Sequence, residues 1–159
     1  MALNEINPSL LHYFQQQQTP AGWFDLITVM VDGMVRNVGE QDARPFLAQM
    51  GMTFSEAFPL PQAETLGELE THINARLAQF NWGVVEIDVE DNALLLRHQA
   101  LPVARTAREQ NRWCNAFCAI MEGVYAGWLR NQGGKENVTL WRDHTWSLTD
   151  VLFRYQGRF

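Results

Sequence analysis

The chain has 159 residues, 47% of them apolar, with a formal charge of −6 and a pI near 5.1. That length is enough for one domain with a sizeable core. Acidity without any Lys/Arg run excludes a dedicated phosphate-backbone binder, which needs a basic patch, and no segment reaches the ~18 consecutive apolar residues of a membrane helix.

Residues 1–22 read as an arm. A polar start is followed by an apolar patch (Leu10, Leu11, Tyr13, Phe14), a run from Gln15 to Gln18, and the punctuation Thr19-Pro20-Ala21-Gly22. The opening has no positive n-region, no sustained apolar h-region and no small-residue cleavage site, so the expectation is a cytoplasmic protein. From 23 to 159 the expectation is a single domain. Trp23 to Val38 carries apolar residues at 23, 24, 26, 27, 30, 31, 34, 35 and 38, a helical pattern with a wide face to bury, closed by Gly39. A second short helix is expected from Gln41 to Met50, limited by Pro45. Phe54 to Pro61 reads as a loop, and a third helix follows near Thr65 to Phe80, where Thr65 and Glu68 fit a capping box.

The period then changes from helical to alternating. Val85, Ile87 and Val89 alternate with Glu86, Asp88 and Glu90, the pattern of a half-buried strand. Asp91-Asn92 supplies a turn and Ala93 to His98 a return strand. Leu101 to Glu109 connects to a strongly apolar helix, WCNAFCAIMEGVYAGWL, from Trp113 to Leu129. Trp113, Phe117, Ile120, Val124 and Trp128 form one side, while Cys114, Cys118, Met121, Tyr125 and Leu129 cover much of the rest, so both sides require burial. Gly123 and Gly127 stand four apart and leave a flat strip for close packing, which offsets their cost of about 1 kcal/mol each relative to Ala. Two more strands are expected near Asn137 to Arg142 and Trp146 to Tyr155. The order predicts an α+β domain: a helical N-terminal half, then an antiparallel four-stranded sheet packed on the long apolar helix.

Chemistry-bearing patterns are sparse. Cys114 and Cys118 lie one helical turn apart, too far to bridge without distortion, and read as buried thiols. The four histidines are scattered, so no metal site and no cofactor is expected. Glu86, Asp88, Glu90 and Asp91 are a poor carboxylate pair for glycosidic cleavage because their alternation fits a solvated strand face. Asp143-His144 reads better as a turn than as an acid and base, since neighbours on a strand point to opposite sides. Glu122, inside the apolar helix, should pair with an arginine. Eleven of the twelve basic residues are arginine, a bias that suits bidentate pairing and interfaces. Six tryptophans (Trp23, Trp82, Trp113, Trp128, Trp141, Trp146) and the amide-rich arm are compatible with a neutral polar polymer, because aromatic faces stack on sugar rings; core and interface packing accounts for most of them.

The segment from Ile73 to Trp128 resembles the cellulose synthase D-subunit family of bacterial cellulose operons. The resemblance rests on the helix running into Asn81-Trp82-Gly83, the acidic alternating strand, Leu94-Leu95-Leu96-Arg97 with His98, Leu101-Pro102, and Glu122-Gly123-x-Tyr125-x-Gly127-Trp128. It implies a non-catalytic accessory subunit that forms a ring-like homo-octamer, a tetramer of dimers, beside other cellulose synthase subunits. It also implies internal passages that guide β-1,4-glucan chains, with arm residues Asn4, Asn7, Tyr13, Gln15, Gln16 and Gln17 as glucan contacts. Trp82, Gly83, Glu122, Gly123, Tyr125, Gly127 and Trp128 are then packing or interface residues. No nucleic acid and no membrane span is implied. The expected location is the cytoplasm beside the inner-membrane synthase, with the periplasm as the alternative. The element order also resembles small-molecule-binding domains related to vinyl-4-reductase proteins, in which Cys114, Cys118, Met121 and Tyr125 would face an apolar ligand.

Overall fold

The computed structural model describes residues 22–104, 107–134 and 138–157. Three helices come first: α1 (Trp23–Val38), α2 (Glu40–Ala57) and α3 (Leu66–Phe80). A hairpin of β1 (Val84–Glu90) and β2 (Ala93–Gln99) leads to the long α4 (Ala107–Asn131), and β3 (Val138–Ser147) and β4 (Asp150–Gly157) close the chain. The strands form one antiparallel sheet in the order β1-β2-β4-β3, so the class is α+β as expected. The six arm candidates, Asn4, Asn7, Tyr13, Gln15, Gln16 and Gln17, lie outside the described residues.

The apolar composition of α4 dictates its central position. Trp113, Phe117, Val124 and Trp128 are buried on one side, and Cys114, Cys118, Met121, Tyr125 and Leu129 are buried as well. Two layers satisfy this demand: α1 and α2 pack on one flank, while the sheet and α3 (Leu69, Ile73, Leu77) pack on the other. The register aligns the inward side chains in rows. Val85, His98 and Val151 form one; Ile87, Leu96, Phe153 and Arg142 form the next.

Two expectations are corrected. Helix α2 does not stop at Met50 but runs through Phe54 to Ala57, with Pro45 inside it. Pro45 lies on the exposed side early in the helix, where one lost backbone hydrogen bond is solvated, and the stripe Ala43, Leu47, Gly51 and Ser55 buries itself beyond it. The helix ends at Phe58, where the following Pro59 disfavours helical backbone. The second correction concerns Asp143-His144, which lies within β3 and not in a turn; the turn is at 148–149. Register shifts between Arg142 and His144, and between Thr145 and Ser147, break the alternation that sequence periodicity relies on.

Candidate functional site

The motif residues meet where α2, α3, β2 and α4 converge. Asn81, Trp82 and Gly83 terminate α3 in a Schellman arrangement. Asn81 takes left-handed φ 58° and donates to Ala78 O, and Trp82 N donates to Leu77 O at 2.9 Å. Gly83 follows at φ 103°, and a Cβ there would collide with the backbone oxygens of Gln99 and Ala100. That sharp exit turns the Trp82 carbonyl toward the core. His98, fully buried, donates from Nε2 to it at 2.6 Å, and the Tyr125 hydroxyl lies 2.7 Å from His98 Nδ1. Because a carbonyl only accepts, Nε2 carries the proton and Nδ1 accepts from Tyr125. Burial lowers His98 from 6.5 to about 4 despite the hydrogen bond to Trp82, and burial raises Tyr125 well above its ordinary value. The tie is therefore neutral, and it joins α3, β2 and α4 through one chain of hydrogen bonds.

Across α4, the glycines set the distance to α2. A Cβ on Gly123 would strike Ala48 O and Met52 N, one on Gly51 would strike Ile120 O, and one on Gly127 would strike Ser55 Oγ. Backbone meets backbone at two of these positions, so no side chain can yield. Trp128 buries its ring here and donates from Nε1 to Phe58 O at 2.8 Å. Trp82 belongs to an aromatic cluster with Phe54, Phe80 and Phe117, with centroids 5.0–5.3 Å from its own.

Beside this packed region opens a cleft of about 390 Å³ between α1, α2, α4 and β3. Ala43, Leu47, Ala116 and Ala119 give it an apolar floor, and Arg44, Arg112, Arg142, Asn115 and Glu122 stand at its wall. Glu122 accepts from Arg44 Nη2 at 2.7 Å and from the Arg142 backbone at 3.3 Å, which supplies the arginine its position demanded. Arg112 pairs with Asp32 of α1. Arg142, on the inward face of β3, donates to Asn115 at 3.0 Å and lies against Cys118. The two thiols sit 4.0 Å apart and free; their mutual hydrogen bond, assisted by Arg142, lowers Cys114, while that bond and burial raise Cys118. Among the described residues, no group of three or more metal-ligating side chains is assembled. The cleft residues come from elements far apart in the chain, and of them only Glu122 is marked in the sequence, by its place inside the apolar helix.

The third feature is a surface. Helix α1 turns Phe24, Thr28, Val31 and Val35 inward, but Trp23 (63% exposed), Leu26, Ile27 and Met30 (64%) face outward. The wide apolar face read from its sequence is thus only partly covered by the described residues.

The sequence profile of the cellulose synthase D-subunit family matches residues 9–156. A cellulose synthase operon protein D of Komagataeibacter xylinus is 32% identical over 91 residues, covering 55% of this chain and 56% of the relative. Another from the same species is 29% identical over 100 residues, covering 61% and 62%. The chain thus matches somewhat over half the length of these relatives. A solved trafficking protein particle complex subunit 3 from Naegleria fowleri, covalently bound to palmitic acid, is 10% identical at a TM-score of 0.49, covering 86% of this chain and 95% of that one.

Proposed function

Since the chain belongs to the cellulose synthase D-subunit family, we propose that it is a non-catalytic accessory subunit of a bacterial cellulose synthase complex. It assembles into a ring-like homo-octamer, a tetramer of dimers, that organises synthase complexes, guides β-1,4-glucan chains into ordered fibrils, or does both. The observation that carries this reading is the outer face of α1. Its exposed apolar side chains, with Trp23 at 63% and Met30 at 64%, form a contiguous patch of the kind that marks an interaction surface. A second copy of the chain is the simplest cover for it.

A structural role also fits the polar groups. His98 uses both ring nitrogens inside the core, and Glu122 is held by Arg44. Glu86, Asp88 and Glu90 lie exposed along one strand face. The apolar-ligand alternative has less support: Cys114, Cys118, Met121 and Tyr125 are packed in the core, and the cleft is lined by other residues. In the proposed assembly Asn4, Asn7, Tyr13, Gln15, Gln16 and Gln17 remain the arm's glucan contacts. Trp82, Gly83, Glu122, Gly123, Tyr125, Gly127 and Trp128 hold the subunit that presents them. The proposed position is the cytoplasmic side of the inner-membrane synthase; no described helix is long and apolar enough to cross a membrane.

Light scattering tests the reading. The expected particle has about eight times the 18.3 kDa of one chain. The double substitution Ile27→Asp/Met30→Asp should reduce it to smaller species with unchanged circular dichroism. A wild-type monomer at every concentration overturns the assembly, and a stable dimer removes the ring.

A further inference from the structure

Building on the proposed role in glucan handling, we propose that the outer face of the sheet around Trp146 is a second contact site for a neutral β-1,4-glucan chain, separate from the arm. The two register shifts in β3 are the first observation. The strand pairs His144 with Leu152, on the side opposite Phe153, and brings Trp146 onto the same outward face, where it contacts His144 and Arg97. Bulges that redirect side chains in this way recur at functional positions.

The indole is also fixed in orientation. Arg97 reaches across from β2 with its guanidinium 4.6 Å from the Trp146 ring centroid. Asp150 grips that guanidinium with two bonds, Nε to Oδ1 at 3.2 Å and Nη2 to Oδ2 at 2.9 Å. His144 meets the indole edge-on, with centroids 4.8 Å apart and planes at 71°. Yet Trp146 remains 49% exposed. A large, rigid, half-exposed ring is a stacking surface with little conformational entropy left to lose.

Charge selects the ligand class. Arg97 is paired with Asp150, and Arg154 with Glu90 and Asp143, so neither arginine offers a free cation to an anion. The three outward carboxylates of β1 add further negative charge to the same face. Phosphates and acidic polymers are repelled, whereas carboxylates accept hydrogen bonds from hydroxyls. A β-1,4-linked glucan presents equatorial hydroxyls around its edge and axial C–H groups on its flat faces. The flat face stacks on Trp146 and the edge reaches the carboxylates; Trp141, on the outward face beside Arg154 in the register, extends the aromatic surface.

Titration calorimetry of the full-length chain with cellohexaose tests the proposal. Wild type should bind, Trp146→Ala should weaken binding by about tenfold or more, and Trp146→Phe, which keeps a ring, should stay within about threefold. An arm variant (Tyr13→Ala, Gln15→Ala, Gln16→Ala, Gln17→Ala) removes the arm's own glucan contacts, and in that background Trp146→Ala should weaken the remaining cellohexaose binding by about tenfold or more. Near-UV circular dichroism and solution mass, measured on each variant, separate a lost contact from a lost fold. Trp146→Ala binding as well as its parent, in the wild-type or the arm-variant background, overturns the site, as does an arm variant that no longer binds cellohexaose at all. So does a wild-type chain that binds decalysine and not cellohexaose, which would make the face a cationic-peptide surface. None of these results alters the particle mass, so failure here and failure of the octamer are read by different instruments.

Discussion

The two flanks of the helical layer obey opposite rules. Between α2 and α4, Gly51 and Gly123 bring backbone against backbone, and Gly127 accommodates Ser55. On the outside of α1, Gly33 meets no described residue within 4 Å, and among the described residues Trp23, Ile27 and Met30 stay 63%, 48% and 64% exposed. Both helices carry apolar faces, and only one of those faces is covered by the described residues. The contrast separates residues that make the subunit fold from residues that remain for an assembly to use.

The largest predicted effect strikes the closed flank. Gly123→Leu places a side chain where Ala48 O and Met52 N already stand, and neither can move without displacing α2. The expected loss is about 3 kcal/mol or more, read as a fall in the urea midpoint at constant slope. A midpoint within experimental error of wild type would show that α2 and α4 do not pack this closely.

Next in size is a pH effect on the His98 tie beside that flank. The folded chain holds His98 near 4 against 6.5 when unfolded, so the unfolded state binds more protons in between. The contribution of neutral His98 is fully present above 6.5 and is lost as pH falls through 4, a change of about 3 kcal/mol. His98→Gln keeps a donor and an acceptor but cannot titrate in this range. The stability difference between wild type and His98→Gln should therefore shift against wild type by about 3 kcal/mol from pH 7 to pH 4. A difference that does not change with pH would mean that His98 is not held neutral in the core.

What was legible in the sequence follows from how local each signal is. The α4 stripe and the β1 alternation are periods within one element, and Thr65 with Glu68 is a cap within one turn: Thr65 Oγ1 accepts from Glu68 N at 3.1 Å, while Glu68 reaches Glu64 N at 2.8 Å. The end of α2 was not legible, because what extends the helix past Met50 is contact with α4, far along the chain. The course of β3 was hidden by its bulges, which cancel the very alternation that identifies strands. In the cleft, Arg44 and Glu122 meet across 78 positions, so Glu122 announced the need for an arginine but not which one. The outer face of α1 is the instructive intermediate. Its period was plain, but a period shows that a face requires burial without showing whether the cover lies in the same chain.

The smallest effect is the most discriminating. Gly33 sits in mid-helix with open space where a Cβ would go, so Gly33→Ala should stabilise an isolated subunit by about 0.5–1 kcal/mol through helix propensity. That gain belongs to the Ile27→Asp/Met30→Asp background, where the proposed interface is removed. In the proposed assembly a second copy closes over α1 and fills the space beside Gly33, so the added methyl would have to be accommodated between two helices. Because binding raises apparent stability by mass action, wild-type melting temperature should rise with protein concentration, and the double-substituted chain should show no such rise. Gly33→Ala should raise the melting temperature of the double-substituted chain at every concentration and flatten the concentration dependence of the chain that still assembles. Equal gains in both backgrounds would place α1's outer face at solvent in the working protein and move the self-association surface elsewhere on the molecule.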